Sequence, residues 1–157
     1  MKKLNIDLGI EEFQLGAGVL RFNPRDPNLY ARFMDSQAKI EEVEKELVEK
    51  GKTLPEDATA EETGRLVLSI MAEADAKTKA LLNEVFGHGN DFNALLEGVN
   101  VMAVGANDER VITNILMALL PIIEEGAAKA ADEKVGAAVN MAKANRAQRR
   151  AAAKAHK

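Results

Sequence analysis

The chain has 157 residues, enough for one domain with a modest core. It contains no cysteine, which excludes a disulfide framework and a thiolate metal site, and no tryptophan; with aromatics at only 4 %, its core has to be mainly aliphatic. The net charge of −4 hides an asymmetry: positions 1–141 carry all 25 acidic residues against 15 basic ones, a formal −10, whereas positions 142–157 carry six basic residues and no acid. An acidic body with a basic end implies either an anionic contact for that end or a solubilising terminus that suits the helix dipole. Met1-Lys2-Lys3 begins like a signal peptide, but Asn5, Asp7, Glu11 and Glu12 interrupt any apolar region after it. The longest apolar run, Ile115 to Ile123, falls short of the ~20 residues of a membrane span. The expected setting is the cytoplasm, with no membrane contact.

Residues 3–23 read as a small β-hairpin or meander. Leu4, Ile6 and Leu8 alternate with Asn5 and Asp7. Gly9 breaks that pattern, and Phe13 and Leu15 then flank Gln14. Gly16-Ala17-Gly18 offers a turn, and Val19 to Phe22 supplies a third short strand. Such a unit needs helices on its apolar face. Asp26 and Pro27 are a good cap and first residue for a helix over about 27–50, which Gly51 stops. Its apolar positions are Leu29, Tyr30, Phe33, Ile40, Val43 and Leu47. Its second half, rich in glutamate and lysine, is either a solvated face with near-neighbour ion pairs or the flank of a self-association seam through Ile40, Val43 and Leu47.

Thr59 and Glu62 fit a capping box that opens a helix over 60–86, with Leu66, Val67, Ile70, Met71, Ala74, Leu81, Leu82 and Val85 on one face. Gly87-His88-Gly89-Asn90 is a connector, and Asp91 caps a short helix over 91–97 bearing Phe92, Leu95 and Leu96. The densest aliphatic stretch follows. Val111, Ile112, Ile115, Leu116, Leu119, Leu120, Ile122 and Ile123 form a broad stripe on a helix over about 108–125. Gly105, Asn107 and Asp108 mark its start, and Pro121 should bend it. Residues 127–157 are rich in Ala, Lys and Arg, with Val135, Val139 and Met141 the only larger apolar residues. Their composition favours helix but offers little area to dock, so a projecting or frayed helix is expected.

No reactive constellation stands out. His88 with Asp91 supplies too few ligands for a zinc site, and His156 lies in the tail. The chain has no H-E-x-x-H, P-loop, EF-hand or G-x-S-x-G motif. Gly16-Ala17-Gly18 lacks the third glycine and the strand–turn–helix context of a dinucleotide loop. The expectation is a protein without enzymatic activity, metal or cofactor. Arg146, Arg149, Arg150 and Lys154 share one side of a helix and could follow a phosphate backbone. No aromatic accompanies them for stacking, and the acidic body would repel a polyanion.

Several stretches together resemble the tail assembly chaperones of long-tailed phages and prophages. They are Phe22-Asn23-Pro24-Arg25-Asp26-Pro27 with Tyr30 and Phe33; Asp91 to Leu96 through Asn100-Val101-Met102-Ala103; Glu109 to Asn114; and the end Arg146-Ala147-Gln148-Arg149-Arg150. The resemblance covers most of the chain. It implies a non-enzymatic factor in the host bacterial cytoplasm. Such a factor binds the tape measure protein, keeps it soluble and helps recruit tail tube protein. It implies no catalytic residues. In many relatives a ribosomal frameshift appends a second domain, and the basic end would suit a linker to one.

The expected fold is mainly α (α+β), an N-terminal hairpin or meander packed on a helical domain over residues 1–126, with a long Ala-rich helical or partly disordered tail over 127–157. The expected partner groove runs along exposed members of the stripe, Val111, Ile115, Leu119 and Ile122, with Arg146, Arg149 and Arg150 as a second contact. Two alternatives stand beside the chaperone: a structural oligomeric subunit of a tail or head–tail junction, and a nucleic-acid adaptor using the basic end.

Overall fold

A computed structural model describes residues 1–87 and 89–155. His88, with the metal and connector readings placed on it, lies outside the described residues, as do His156 and Lys157 and the side chains of Lys134, Val135 and Ala137. The architecture is mainly helical with one antiparallel hairpin, the expected α+β class. Its elements are β1 (Glu11–Leu15), β2 (Gly18–Phe22), α1 (Pro27–Lys52), α2 (Ala60–Phe86), α3 (Phe92–Leu95) and α4 (Val111–Ala155).

The hairpin pairs Glu11 with Phe22 and Leu15 with Gly18. Leu20 and Phe22 turn inward, and Phe22 stacks on Phe13 and meets Phe86 edge-on. Phe86 in turn contacts Phe33 and Phe92, so the few aromatics gather where the hairpin, α1, α2 and α3 converge. Around them the core is aliphatic, as composition required: Leu29, Ile40, Val43, Leu82, Val85, Val101, Ile112 and Ile123 are all buried. Burying such side chains contributes about 1.5–3 kcal/mol each and drives the assembly.

The caps are the ones that side-chain chemistry favours. Asp26 accepts from the Asn28 N–H with Pro27 at the first helical position, and Thr59 and Glu62 close a reciprocal capping box. Asp91 caps α3, which stops after one turn because Glu97 and Gly98 take positive φ of 52° and 77°. Helix α1 passes Gly51 and ends at Lys52, where Thr53 returns its N–H and hydroxyl to the Lys50 carbonyl.

Two expectations change. The alternation of Leu4, Ile6 and Leu8 does not make a third strand; residues 1–10 form no regular element and are exposed. Gly9 turns at φ 64° while its N–H bonds Asp7, and the Leu8 carbonyl is taken by the Asn23 side chain, so the segment is tied to the end of the hairpin without adding a strand to it. The helix expected from 108 begins at Val111, because Asp108 adopts φ 63° inside a tight loop that brings Val104 opposite Arg110. Loop carbonyls of Ala103 and Val101 receive the Val111 and Ile112 N–H groups and so satisfy the helix start.

From there α4 runs unbroken for 45 residues, through Pro121 and Gly126. Gly126 marks a crossing. A Cβ there would lie 1.8 Å from the Pro24 carbonyl oxygen, so only glycine lets the helix pass that close.

Candidate partner-docking surface

The stripe expected to line a partner groove lies largely inside the fold. Ile115 and Leu119 are 7 % and 3 % exposed, and Val111 and Ile122 are half-buried against the core. The groove assignment is therefore corrected: Ile112, Ile115, Leu119 and Ile123 recur every three or four residues and form the inward line of α4, with the other stripe members flanking it. Sequence periodicity located the apolar face but could not say that this chain itself covers it. The same side chains help make α4 long and apolar enough to cross a membrane, with a mean hydropathy of 1.5 over its most apolar 18-residue window, beyond the short run read in the sequence.

Uncovered apolar surface lies elsewhere, first at the start of α2. Helices α1 and α2 run antiparallel, in a register set by Lys50–Glu73 at 2.9 Å and Glu46–Lys77 at 2.9 Å. In that register α1 ends opposite about Met71, so the first turns of α2 overhang it. Leu66 and Val67, expected on the apolar face of this helix, are 41 % and 36 % exposed there, and Leu68 is 69 % exposed. The connection from Thr53 to Thr59 returns along the overhang, and Pro55, Asp57 and Ala58 face Glu62, Arg65 and Leu66 across an open groove of about 490 Å³. Only the relative register of two helices creates this surface, and register is not written in either helix alone.

The ion pairs that fix the register also tune their members. Hydrogen bonding to Lys77, then its charge, holds the Glu46 carboxyl below the usual carboxylate range. Hydrogen bonds from Lys50 and Lys77 do the same for Glu73, and the two glutamates hold Lys77 above the usual lysine value.

The second uncovered region is the far half of α4. Arg25 reaches Glu133 at 2.7 Å, and residues 138–155 beyond it are all exposed, so the helix projects from the body for roughly 30 Å at 1.5 Å per residue. Lys143, Arg146, Arg150 and Lys154 follow one another at spacings of three and four, with Arg149 beside them. Arg146, Arg149 and Arg150, expected as a contact, are exposed on this helix. Alanines occupy most of its other sides, broken by exposed Val139 and Met141.

The buried polar groups, by contrast, serve the fold. The Lys79 Nζ donates to Asp75 at 2.9 Å and to Asn93 at 2.8 Å, and Asp75 also takes the Val101 N–H, tying α2 to α3 and the following loop. Asn90 accepts from the Arg21 N–H and donates to the Arg21 and Phe86 carbonyls. Asn83 accepts the Phe92 N–H, and Asn100 donates to the Met71 carbonyl. Asp91, considered beside His88, spends its carboxylate capping α3. Among the described residues no group of three or more His, Cys, Asp or Glu is placed to hold a metal ion. The chain matches no family model, no curated protein and no solved structure.

Proposed function

We propose that this chain is a non-enzymatic tail assembly chaperone of a long-tailed phage or prophage, acting in the host cytoplasm. It binds the tape measure protein and helps recruit tail tube subunits. The residue pattern that resembles such chaperones motivates the reading, and one structural observation supports it: a well-packed body leaves large aliphatic side chains open on the α2 overhang. Leu66, Val67 and Leu68, turned about 100° from one another, leave aliphatic surface open around most of the overhanging turns, to which a partner can add its own. Glu61, Glu62 and Arg65 surround that surface with charge and keep it soluble. The groove thus moves from Val111, Ile115, Leu119 and Ile122 to the start of α2.

Co-expression with the tape measure protein of the same phage tests the reading. The two co-purify, and Leu66→Asp with Leu68→Asp reduces recovery at least about tenfold while circular dichroism stays unchanged. Unchanged recovery sinks the docking site, and failure of the unaltered chain to bind sinks the chaperone reading. Presence of the chain in purified virions would favour the structural-subunit alternative.

The projecting basic helix favours a second reading, a nucleic-acid adaptor. It predicts DNA or RNA retention that falls steeply with salt and disappears when residues 142–157 are removed.

A further inference from the structure

The first ten residues and the outer edge of β1 are an unmatched pair within one chain. Leu4, Ile6 and Leu8 alternate with polar residues as a strand does, yet are 80 %, 71 % and 67 % exposed and belong to no sheet. The hairpin, meanwhile, has an open edge. Arg21 lies opposite Glu12, and Asn90 takes both the N–H and the C=O of Arg21, so this pair turns its backbone groups away from the β1–β2 ladder. Asn90 therefore closes the outer edge of β2. The equivalent groups of Glu12, and of Gln14 two residues on, point out of β1 with no strand to meet them among the described residues.

We propose that a second copy of this chain closes that edge: about a two-fold axis, each copy lays its residues 4–8 antiparallel along the β1 strand of the other. Three observations favour a second copy over another occupant. The segment turns at Gly9 and is tied by the bond from Asn23 to the Leu8 carbonyl to the β2 side of the hairpin, so it does not cover the free edge of its own β1. Each copy carries both a strand without an edge and an edge without a strand, and a two-fold pairing satisfies both reciprocally. The apolar side of the arriving segment also finds apolar neighbours, because Phe13 and Leu15 on β1 are only half-buried. Covering both segments and both edges buries on the order of 1,200 Å², the lower end of what a specific pair of proteins buries. A long exposed strand edge otherwise invites uncontrolled pairing.

Light scattering on the full chain from low to high micromolar concentration tests the proposal, with two variants. Ile6→Asp with Leu8→Asp charges the segment. Gln14→Pro removes an outward N–H from the edge while sparing the hydrogen bonds between β1 and β2. The unaltered chain has twice the single-chain mass, and each variant weakens self-association at least about tenfold with helical content unchanged. A single-chain mass at every concentration overturns the proposal. So does a dimer that survives both variants, or one that the segment variant abolishes and a folded Gln14→Pro does not. The proposal is independent of the chaperone reading, which is judged on tape measure binding alone.

Discussion

Between Glu11 and Ala130 the loop backbone is tied down by side chains, and the helices share one aliphatic core. Residues 1–10 form no regular element and residues 138–155 are helical, and both expose what they carry. The difference lies in how the two regions are held. The body's helices are held by packing, so their stability belongs to the whole. The far half of α4 is held by its own alanines, so its stability is local. Within the body itself, Leu119 and Leu68 contrast the core with the overhang, at 3 % and 69 % exposed. Leu119→Asp places an unpaired carboxylate in the core and should cost more than ~4 kcal/mol, enough to unfold much of the population. Leu68→Asp should cost less than ~0.5 kcal/mol. Urea denaturation compares them directly; equal losses would erase the distinction between core and docking surface.

One helix contains the next comparison. Gly126→Val puts a branched side chain where even a Cβ meets the Pro24 backbone at 1.8 Å, so α4 must shift away from the start of α1. The expected loss is about 3 kcal/mol, or roughly 10 °C in melting temperature. Ten residues on, Gly136 has open space where its Cβ would stand. Gly136→Ala should strengthen the projecting helix locally by up to about 1 kcal/mol and leave the body's melting temperature unmoved. Thermal denaturation of the two variants tests whether Gly126 is a crossing point.

Much of the fold was legible because it is set by short-range chemistry. Asp26-Pro27, Thr59 with Glu62, and Asp91 declare helix starts through hydrogen bonds spanning two or three residues. The stripe from Val111 to Ile123 declares an inward face through its period. What was not legible depends on residues far apart. Gly126 looked like a boundary because nothing nearby in sequence reveals that Pro24 lies against it. Leu66 and Val67 read as members of one apolar face, and only the pairing of α2 against α1 shows that α1 stops short of them. The alternation at Leu4, Ile6 and Leu8 looked like a strand, and its chemistry is that of one; the chain supplies no edge for it. The stripe from Val111 to Ile122 was read as exposed for the same reason: apolar periodicity says that a face will be covered, not by what.

Asn90 is a lock of this long-range kind. Asn90→Ala leaves the Arg21 N–H and C=O on the outer edge of β2 without their partner and releases the Phe86 carbonyl. The expected cost is about 2 kcal/mol. Asn107, itself exposed, only exchanges bonds with half-buried Asn114 and the adjacent loop and should tolerate alanine within ~0.5 kcal/mol. Equal costs would mean that the hairpin is not pinned through Asn90.

Smaller effects come from the ion pairs that set the α1–α2 register. Glu46 and Glu73 are held below the usual carboxylate range, chiefly by hydrogen bonds from Lys77 and Lys50 respectively. A carboxylate depressed in the folded state contributes fully above its unfolded pKa, and that contribution fades as pH falls through the folded one. Lys77, raised by Glu46 and Glu73, contributes fully below the ordinary lysine value and loses its contribution as pH rises through its folded pKa. Melting temperature should therefore be flat near neutrality and fall slightly at both ends. The slopes are shallow because water screens these exposed groups. Glu46→Gln with Glu73→Gln should flatten the acid limb, and Lys77→Gln the alkaline one. An acid limb unchanged in the double variant would mean that these pairs do not hold the register.

The least change in the body's stability is expected where the backbone is most dependent on itself. Ala147→Gly with Ala151→Gly inserts two poor helix formers into a segment whose side chains are exposed throughout. Each costs about 1 kcal/mol of local helix stability, and no packing compensates. Helical ellipticity should fall as the far half of α4 frays, while the cooperative unfolding of the body keeps its midpoint. Should the midpoint fall together with the ellipticity, the projecting helix draws its order from contact with the body, and the division between a shared and a local stability fails at α4.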